Sequence, residues 1–108
     1  MGKSLETSRL ELHSMLEEFL GSSNVYFQPP ESIKMDYPAI IYDVYRVNQR
    51  FASDKQYLGY PGWSVTVVDR NKEVDWISDA LETFAYCSVE RVYVADNLAH
   101  YAFISYYS

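Results

Sequence analysis

Cysteine is almost absent from this chain of 108 residues, which contains one, Cys87. A single cysteine cannot form an internal disulfide bond. Between a predicted helix and a predicted strand, a lone cysteine is usually a small buried apolar side chain rather than a nucleophile, so Cys87 is assigned no chemistry. The chain also has no internal repeat and no low-complexity tract.

Basic side chains are also few, and long apolar runs are absent from the sequence. Nine Lys and Arg face fifteen Asp and Glu, which gives a net charge of −6. Proteins that bind nucleic acid usually need a basic face, so direct DNA binding is not expected. No apolar run reaches the roughly 20 residues that span a bilayer, and the N-terminus leads into an amphipathic pattern rather than a signal peptide. We therefore expect a soluble, intracellular protein.

The residue patterns of known catalytic and metal sites are missing. His13 and His100 are far apart in the chain, and neither has metal-ligand spacing to a cysteine or another histidine. There is no glycine-rich phosphate loop, no Gly-x-Ser-x-Gly motif and no serine, histidine and acid arrangement. One group of carboxylates is interpreted as the solvated start and outer face of a helix: Asp69, Glu73, Asp75 and Asp79. The sequence predicts no enzyme, no cofactor and no metal.

The composition is that of an ordinary globular domain, with 48% hydrophobic and 22% charged residues. The length allows one domain, over residues 1–108, with a single core. Apolar spacing predicts a first helix over Ser4–Leu20, with Ser8 and Glu11 as a capping box and Gly21 as its stop. A second helix is predicted over 72–84, capped by Asn71.

Strands are predicted by β-branched and aromatic runs between turn residues. The first three cover Val25–Gln28, Ala39–Val47 and Trp63–Asp69, and the alternation in the third places its odd-numbered residues on one face. A polar stretch, Asn48–Gly62, is predicted to be a loop or an extended arm. Two further runs flank Asp96-Asn97, residues that tolerate left-handed turn geometry, and predict a final hairpin.

The order helix, strand, strand, strand, helix, strand, strand describes an α+β fold, in which a mostly antiparallel sheet packs against two helices. Eleven Tyr, five Phe and two Trp are too many for the inward positions of so small a sheet, so some rings should face a protein partner. We expect the last strand, with its tyrosines, to be an open edge that another copy of the chain covers.

Four sequence segments resemble the tail-terminator, or tail-completion, proteins of long-tailed bacteriophages and their prophages. The resemblance covers roughly residues 20 to 108 and is carried by four segments: Tyr37–Tyr42, Arg46–Lys55, Trp63–Asp69 and Tyr93–His100. It implies a structural protein of the virion tail or neck, assembled in the host cytoplasm. Such proteins are small α+β domains that form a ring, commonly a hexamer, which caps the finished tail tube and joins it to the head connector.

A ring needs two different faces on each subunit, and the sequence suggests where they lie. The residues expected to contact neighbouring copies, the tail tube or the neck are Arg46, Asn48, Arg50, Phe51, Asp54, Lys55, Tyr57, Asp96, Asn97, His100, Tyr101 and Phe103. Since each copy carries a charge of −6, an acidic channel would let DNA pass without specific binding.

Two other functions fit the same residues. A head-completion or connector-adaptor protein is another ring of the same machine, with similar size and compactness. A small-molecule enzyme or sensor is the other possibility, with His100, Asp96 and Asn97 as polar groups at the mouth of a pocket.

Overall fold

The computed structural model describes residues 5–29, 34–45, 62–84 and 86–106. Two helices and five strands follow one another in the predicted order, so the predicted α+β class is confirmed. The elements are α1 (Leu5–Leu20), β1 (Val25–Phe27), β2 (Ala39–Val44), β3 (Gly62–Asp69), α2 (Trp76–Thr83), β4 (Cys87–Ala95) and β5 (Leu98–Tyr106). Gln28 adopts a left-handed φ of 47°, which ends β1 at Phe27. Residues 46 and 47, predicted to continue β2, lie outside the described residues.

The strands form one sheet in the order β1-β2-β3-β5-β4. β1 pairs with β2 in parallel, and the other three pairs are antiparallel. β5 therefore has a neighbour on both sides, and the expectation that the last strand is an open edge is wrong. Among the described residues, the open edges of this sheet are β1, which has three residues, and β4, which has nine.

Both helices cover the same face of the sheet. Leu12 and Leu16 of α1 are fully buried, in one apolar cluster with Trp63, Val65 and Val67 of β3. The ring of Phe19 on α1 lies 5.3 Å from that of Phe84, just after α2, which places the two helices side by side. The predicted alternation in β3 is confirmed, because Trp63, Val65 and Val67 are each 0% exposed.

The first helix is described from Leu5 and ends at Leu20, as predicted, but its predicted cap is wrong. Gly21 has a φ of +82°, and its N–H donates to the Glu17 carbonyl oxygen at 2.9 Å. A left-handed residue at this point lets the chain leave the helix. Ser8 is not the cap, since α1 begins at Leu5 and the Ser8 side chain is buried within the helix.

The second helix is shorter than predicted, because a turn occupies the residues before it. Asn71 does not cap the helix; its Oδ1 accepts a hydrogen bond from the Glu73 N–H at 3.0 Å. Asp75 is the N-cap of α2, accepting from the Ser78 N–H at 3.0 Å and from the Ser78 hydroxyl at 2.7 Å. These hydrogen bonds stabilise the ionised carboxylate and lower the pKa of Asp75 below its ordinary value of 3.8.

We expect Asp75→Ala to lower the thermal midpoint at neutral pH, because α2 then loses its N-cap. A folded-state pKa below the unfolded value means that the stabilisation is complete above pH 3.8 and is lost as the pH falls through the lowered pKa. Thermal melts of the variant and the parent should therefore converge in acid. Asp75→Asn keeps an acceptor for Ser78 and serves as the control; a difference between parent and Ala variant that is independent of pH would contradict the role of the ionised group.

The predicted hairpin between the last two strands is confirmed. Asp96 and Asn97 have φ values of 52° and 63°, and they connect Ala95 to Leu98, which face each other across the strands. Two consecutive left-handed residues match the right-handed twist of the strands they join.

Candidate protein-binding surface

The helix-side face of the edge strand β4 is apolar and open to solvent. Val89, Val92 and Val94 are 45%, 55% and 59% exposed. Their partners across the ladder are Phe103, Tyr101 and Ala99 of β5, which are all buried in the core. The three valines therefore extend the core-facing side of the sheet beyond the area that the helices cover.

One side chain of α2 is also apolar and exposed. Ala80 and the helix-ending Phe84 are buried, whereas Leu81, on another side of the helix, is 51% exposed. α2 packs against both β4 and β5, so Leu81 belongs to the same region of the molecule as the exposed valines. We name Leu81, Val89, Val92 and Val94 the β4 surface. Clustered apolar side chains in contact with water are typical of a protein-binding site.

Sequence reasoning missed the β4 surface, although a signal for it was present. The segment Val89-Glu90-Arg91-Val92-Tyr93-Val94 combines β-branched residues with charges, as edge strands often do. Because strand order cannot be read from chain order, the sequence does not indicate that β4, rather than β5, is the edge strand. Between Val89 and Arg91 a β-bulge also shifts the register, and it keeps all three valines on the helix side.

More than half of the predicted interface residues lie outside the described residues. These are Arg46, Asn48, Arg50, Phe51, Asp54, Lys55 and Tyr57. The other five all belong to the β4–β5 hairpin, and they have three different surroundings.

Tyr101 and Phe103 are core residues. Their exposed fractions are 6% and 0%, and both belong to the main apolar cluster with Trp63 and Val65. The expectation that they face a partner is wrong, since β5 is an interior strand and these side chains point toward the helices.

Asp96 and Asn97 lie at the tip of the hairpin, beside a shallow hollow of about 350 Å³ that is also lined by Tyr37, Arg70 and Leu98. Lys72 Nζ donates a hydrogen bond to Asn97 Oδ1 at 2.8 Å. The hollow is therefore polar and carries charges of both signs.

His100 is not among the residues that line this hollow. Its ring stacks on Tyr93, with centroids 4.6 Å apart, and its Nδ1 lies 3.0 Å from the Leu98 carbonyl oxygen. The small-molecule interpretation required all three polar residues at one pocket mouth, and the structure brings only Asp96 and Asn97 together.

The carboxylates near the second helix have separate surroundings. Asp69 is 6% exposed and accepts hydrogen bonds from Trp76 Nε1 at 2.8 Å and from the Asn71 N–H at 3.0 Å. Asp79, Glu82 and Glu18 line a cleft of about 430 Å³ between the helices, together with Met15, Phe19 and Thr83. Among the described residues no group of three or more His, Cys, Asp or Glu side chains is placed to hold a metal ion.

His13, on α1, contacts a tyrosine of the core. His13 Nδ1 lies 2.7 Å from the hydroxyl oxygen of Tyr42, whose side chain is 1% exposed, and His13 Nε2 lies 3.5 Å from Glu17 Oε2. The imidazole thus provides a hydrogen-bond partner for the hydroxyl group of this core tyrosine, whose ring extends to α1.

The Cys87 thiol is half-buried, and burial raises its pKa from the ordinary 9.0 to about 11. Such a thiol is protonated at neutral pH and is a poor nucleophile. We expect its thiolate fraction, and with it the alkylation rate by iodoacetamide, to be roughly a hundredfold below that of an unstructured cysteine. Mass spectrometry of timed samples measures this rate, and the same chain in urea is the control. Equal rates in the folded and unfolded chain would contradict the prediction.

No family model, curated protein or solved structure matches this chain. Within the described residues, neither helix has the length and apolar character needed to cross a membrane.

Proposed function

We propose that this protein is a structural component of a phage or prophage tail, which caps the completed tail tube as a ring and joins it to the head connector. The observation that carries the protein-binding part of this proposal is the β4 surface, where Val92 and Val94 are more than half exposed beside the core residues Tyr101 and Ala99. Exposed apolar area of this kind favours association with another protein.

The identity of the proposed partners comes from the sequence segments that resemble tail-terminator proteins, above all Trp63–Asp69 and Tyr93–His100. The first segment lies in β3, at the centre of the sheet, and the second lies in the β4–β5 hairpin, so both belong to the framework that presents the β4 surface. In this proposal the protein is found in the virion neck, having been assembled in the host cytoplasm.

The net charge of −6 fits a conduit for DNA. A ring of several copies multiplies this charge, and acidic walls repel phosphates, so DNA would pass without adhering. No base-specific contact is needed for such a role.

Deleting the gene from a phage that carries it tests the proposal. Electron microscopy should then show full heads and separate tails, and expression of the intact chain should restore joined particles. Purified protein, added to isolated tail tubes and to isolated capsid portals, should bind the tube ends. Binding to portals alone would support the head-completion alternative, and joined particles in the deletion strain would overturn both.

Phe51 and Lys55 belong to the predicted loop or arm, lie outside the described residues, and provide a more specific prediction. Their alternation of aromatic and charged groups is typical of a segment that docks on another protein. We expect Phe51→Ala with Lys55→Ala to leave the chain folded, by circular dichroism, but to abolish head-to-tail joining in the deletion strain. Loss of the folded signal would contradict an assignment of these residues to binding alone.

A further inference from the structure

The open edge of β4 presents backbone hydrogen-bonding groups at definite positions. The Tyr106 N–H donates to the Tyr86 carbonyl oxygen at 2.9 Å. In an antiparallel ladder, alternate residues direct their backbone groups to the same neighbour. Tyr86 and Ser88 therefore face β5, and Cys87 and Val89 direct their N–H and C=O groups toward the open edge.

At the other end of the strand, the hairpin turn determines which backbone groups face β5. The two-residue turn closes on Ala95 and Leu98, which form the hydrogen-bonded pair at the mouth of such a hairpin. Two residues back, Tyr93 also faces β5. Val92 and Val94 therefore direct their backbone groups toward the open edge, so the open positions on the two sides of the bulge are known.

These open positions are symmetric. Two lie before the bulge residues Glu90 and Arg91 and two lie after them, at equal spacings: Cys87, Val89, Val92 and Val94. A second β4, related by a two-fold axis through the Glu90–Arg91 midpoint, would run antiparallel and place Val89 opposite Val92 and Cys87 opposite Val94. In this register all four open positions find partners, and the two bulges lie opposite each other, so neither interrupts the pairing.

The side chains agree with this register. Val89 and Val92 lie on the helix side of their strand, so the two copies would place them next to each other on one face of the joined sheet. Glu90 of one copy would lie opposite Arg91 of the other, twice per pair, and oppositely charged neighbours across strands stabilise a sheet. Two copies of the segment Val89–Val92 are thus complementary to each other when they pair in antiparallel orientation.

Two acidic side chains of α2 face α1 rather than the open edge. Asp79 and Glu82 of α2 line the cleft toward α1, on the side of the helix away from the open edge. Leu81 is the exposed apolar residue of α2, and pairing would bring both copies of α2 to the same face of the joined sheet.

We propose that the free protein forms a two-fold dimer through antiparallel pairing of β4 with β4 of a second copy, with Val89 opposite Val92 and Glu90 opposite Arg91. The dimer rests on the proposed function in one respect only, that the β4 surface binds protein, and it names a second copy as the occupant. A two-fold pair cannot by itself form a ring with distinct top and bottom faces. The dimer is therefore the state of the free protein and separates before the ring closes.

Sedimentation equilibrium of the full chain over a range of concentrations tests the dimer, which should have twice the 12.6 kDa mass of the chain. Val92→Lys places a charge on the pairing face and should weaken dimerisation by at least about tenfold. Leu10→Lys is the matched control, because Leu10 on α1 is 53% exposed against 55% for Val92. It should leave the dimerisation constant unchanged.

A charge exchange tests the register. Glu90→Arg alone and Arg91→Glu alone each place like charges opposite each other and should weaken the dimer by about tenfold, whereas the double exchange should restore it. Circular dichroism checks that all three variants fold. A chain that stays monomeric at every concentration, or a double variant as weak as the single ones, would overturn the proposed pairing.

These outcomes can be separated from those of the proposed function. A monomeric chain that still restores joined particles in the deletion strain would overturn the dimer and leave the tail role standing. A dimer with the expected charge-exchange pattern, in a chain that binds neither tail tubes nor portals, would overturn the tail role and leave the dimer standing.

Discussion

Trp63→Ala is expected to destabilise the fold severely, and by more than the loss of any single buried hydrogen bond. Trp63 is 0% exposed, and its ring lies 6.1 Å from that of Tyr42 and 6.4 Å from that of Phe27. Removing so large a ring from the interior of a close-packed core leaves a cavity, with a typical cost of about 3–5 kcal/mol. Because small domains have a total stability of about 5–15 kcal/mol, the variant should be partly or wholly unfolded at ordinary temperature.

Urea denaturation followed by circular dichroism measures this loss. Leu10→Ala, at a site 53% exposed, is the control and should change the free energy of unfolding by less than about 0.5 kcal/mol. Trp63→Phe should be milder than the alanine variant, because it keeps a ring. It also removes the Trp63 Nε1 donor, the only buried side-chain polar atom without a hydrogen-bond partner among the described residues. A midpoint for Trp63→Ala close to that of the parent would show that this ring is not central to the core.

The second large effect is expected from Asp69→Ala. The Asp69 carboxylate is buried at the end of β3, where its two oxygens accept from Trp76 Nε1 at 2.8 Å and from the Asn71 N–H at 3.0 Å. It thereby fixes both the turn that follows β3 and the first residue of α2. Removing it leaves donors without their acceptor, at a cost of about 2–3 kcal/mol.

A double-mutant cycle with Trp76→Phe separates the hydrogen bond from other effects of the substitution. Trp76→Phe removes the donor while keeping a ring that can pack near Phe19, whose centroid lies 5.5 Å from that of Trp76. We expect the single variants to be non-additive by about 1 kcal/mol or more in urea denaturation. Additive single effects would mean that Asp69 stabilises the fold without the indole.

Much of the fold could be predicted because it depends on local patterns. The apolar spacing that ends at Leu20 and Gly21 gives a helix and its stop, and the alternation in Trp63–Asp69 gives a strand with one buried face. Asp96 and Asn97 give a hairpin, because few other residue types adopt two successive left-handed conformations. Each of these signals is contained within a few consecutive residues.

The capping residues of the helices were less well predicted. Ser8 and Asn71 both have side chains suited to capping, yet Ser8 lies inside α1 and Asn71 closes a turn before α2. Several residues in each segment could cap a helix, and the choice among them depends on where the chain meets the sheet. At α2 it is Asp69 that holds this approach, through its hydrogen bonds to Asn71 and Trp76.

Five of the twelve predicted interface residues lie in the β4–β5 hairpin, but the exposed apolar side chains of this hairpin are on β4. Tyr101 and Phe103 were expected at an open edge and are in the core, whereas Val92 and Val94 of the preceding strand are exposed. Strands with the same composition can be interior or edge strands, because that depends on which neighbours pair with them.

The amino-acid sequence by itself determined the number and order of the helices and strands, the face of β3 that is buried, and the turn between the last two strands. Only the tertiary structure decided that β5 lies between β3 and β4, which buries the aromatic residues of the last strand and leaves the valines of β4 in contact with water. The physical reason is that side-chain periodicity is encoded locally, whereas the pairing of strands depends on contacts between residues that are distant in the chain.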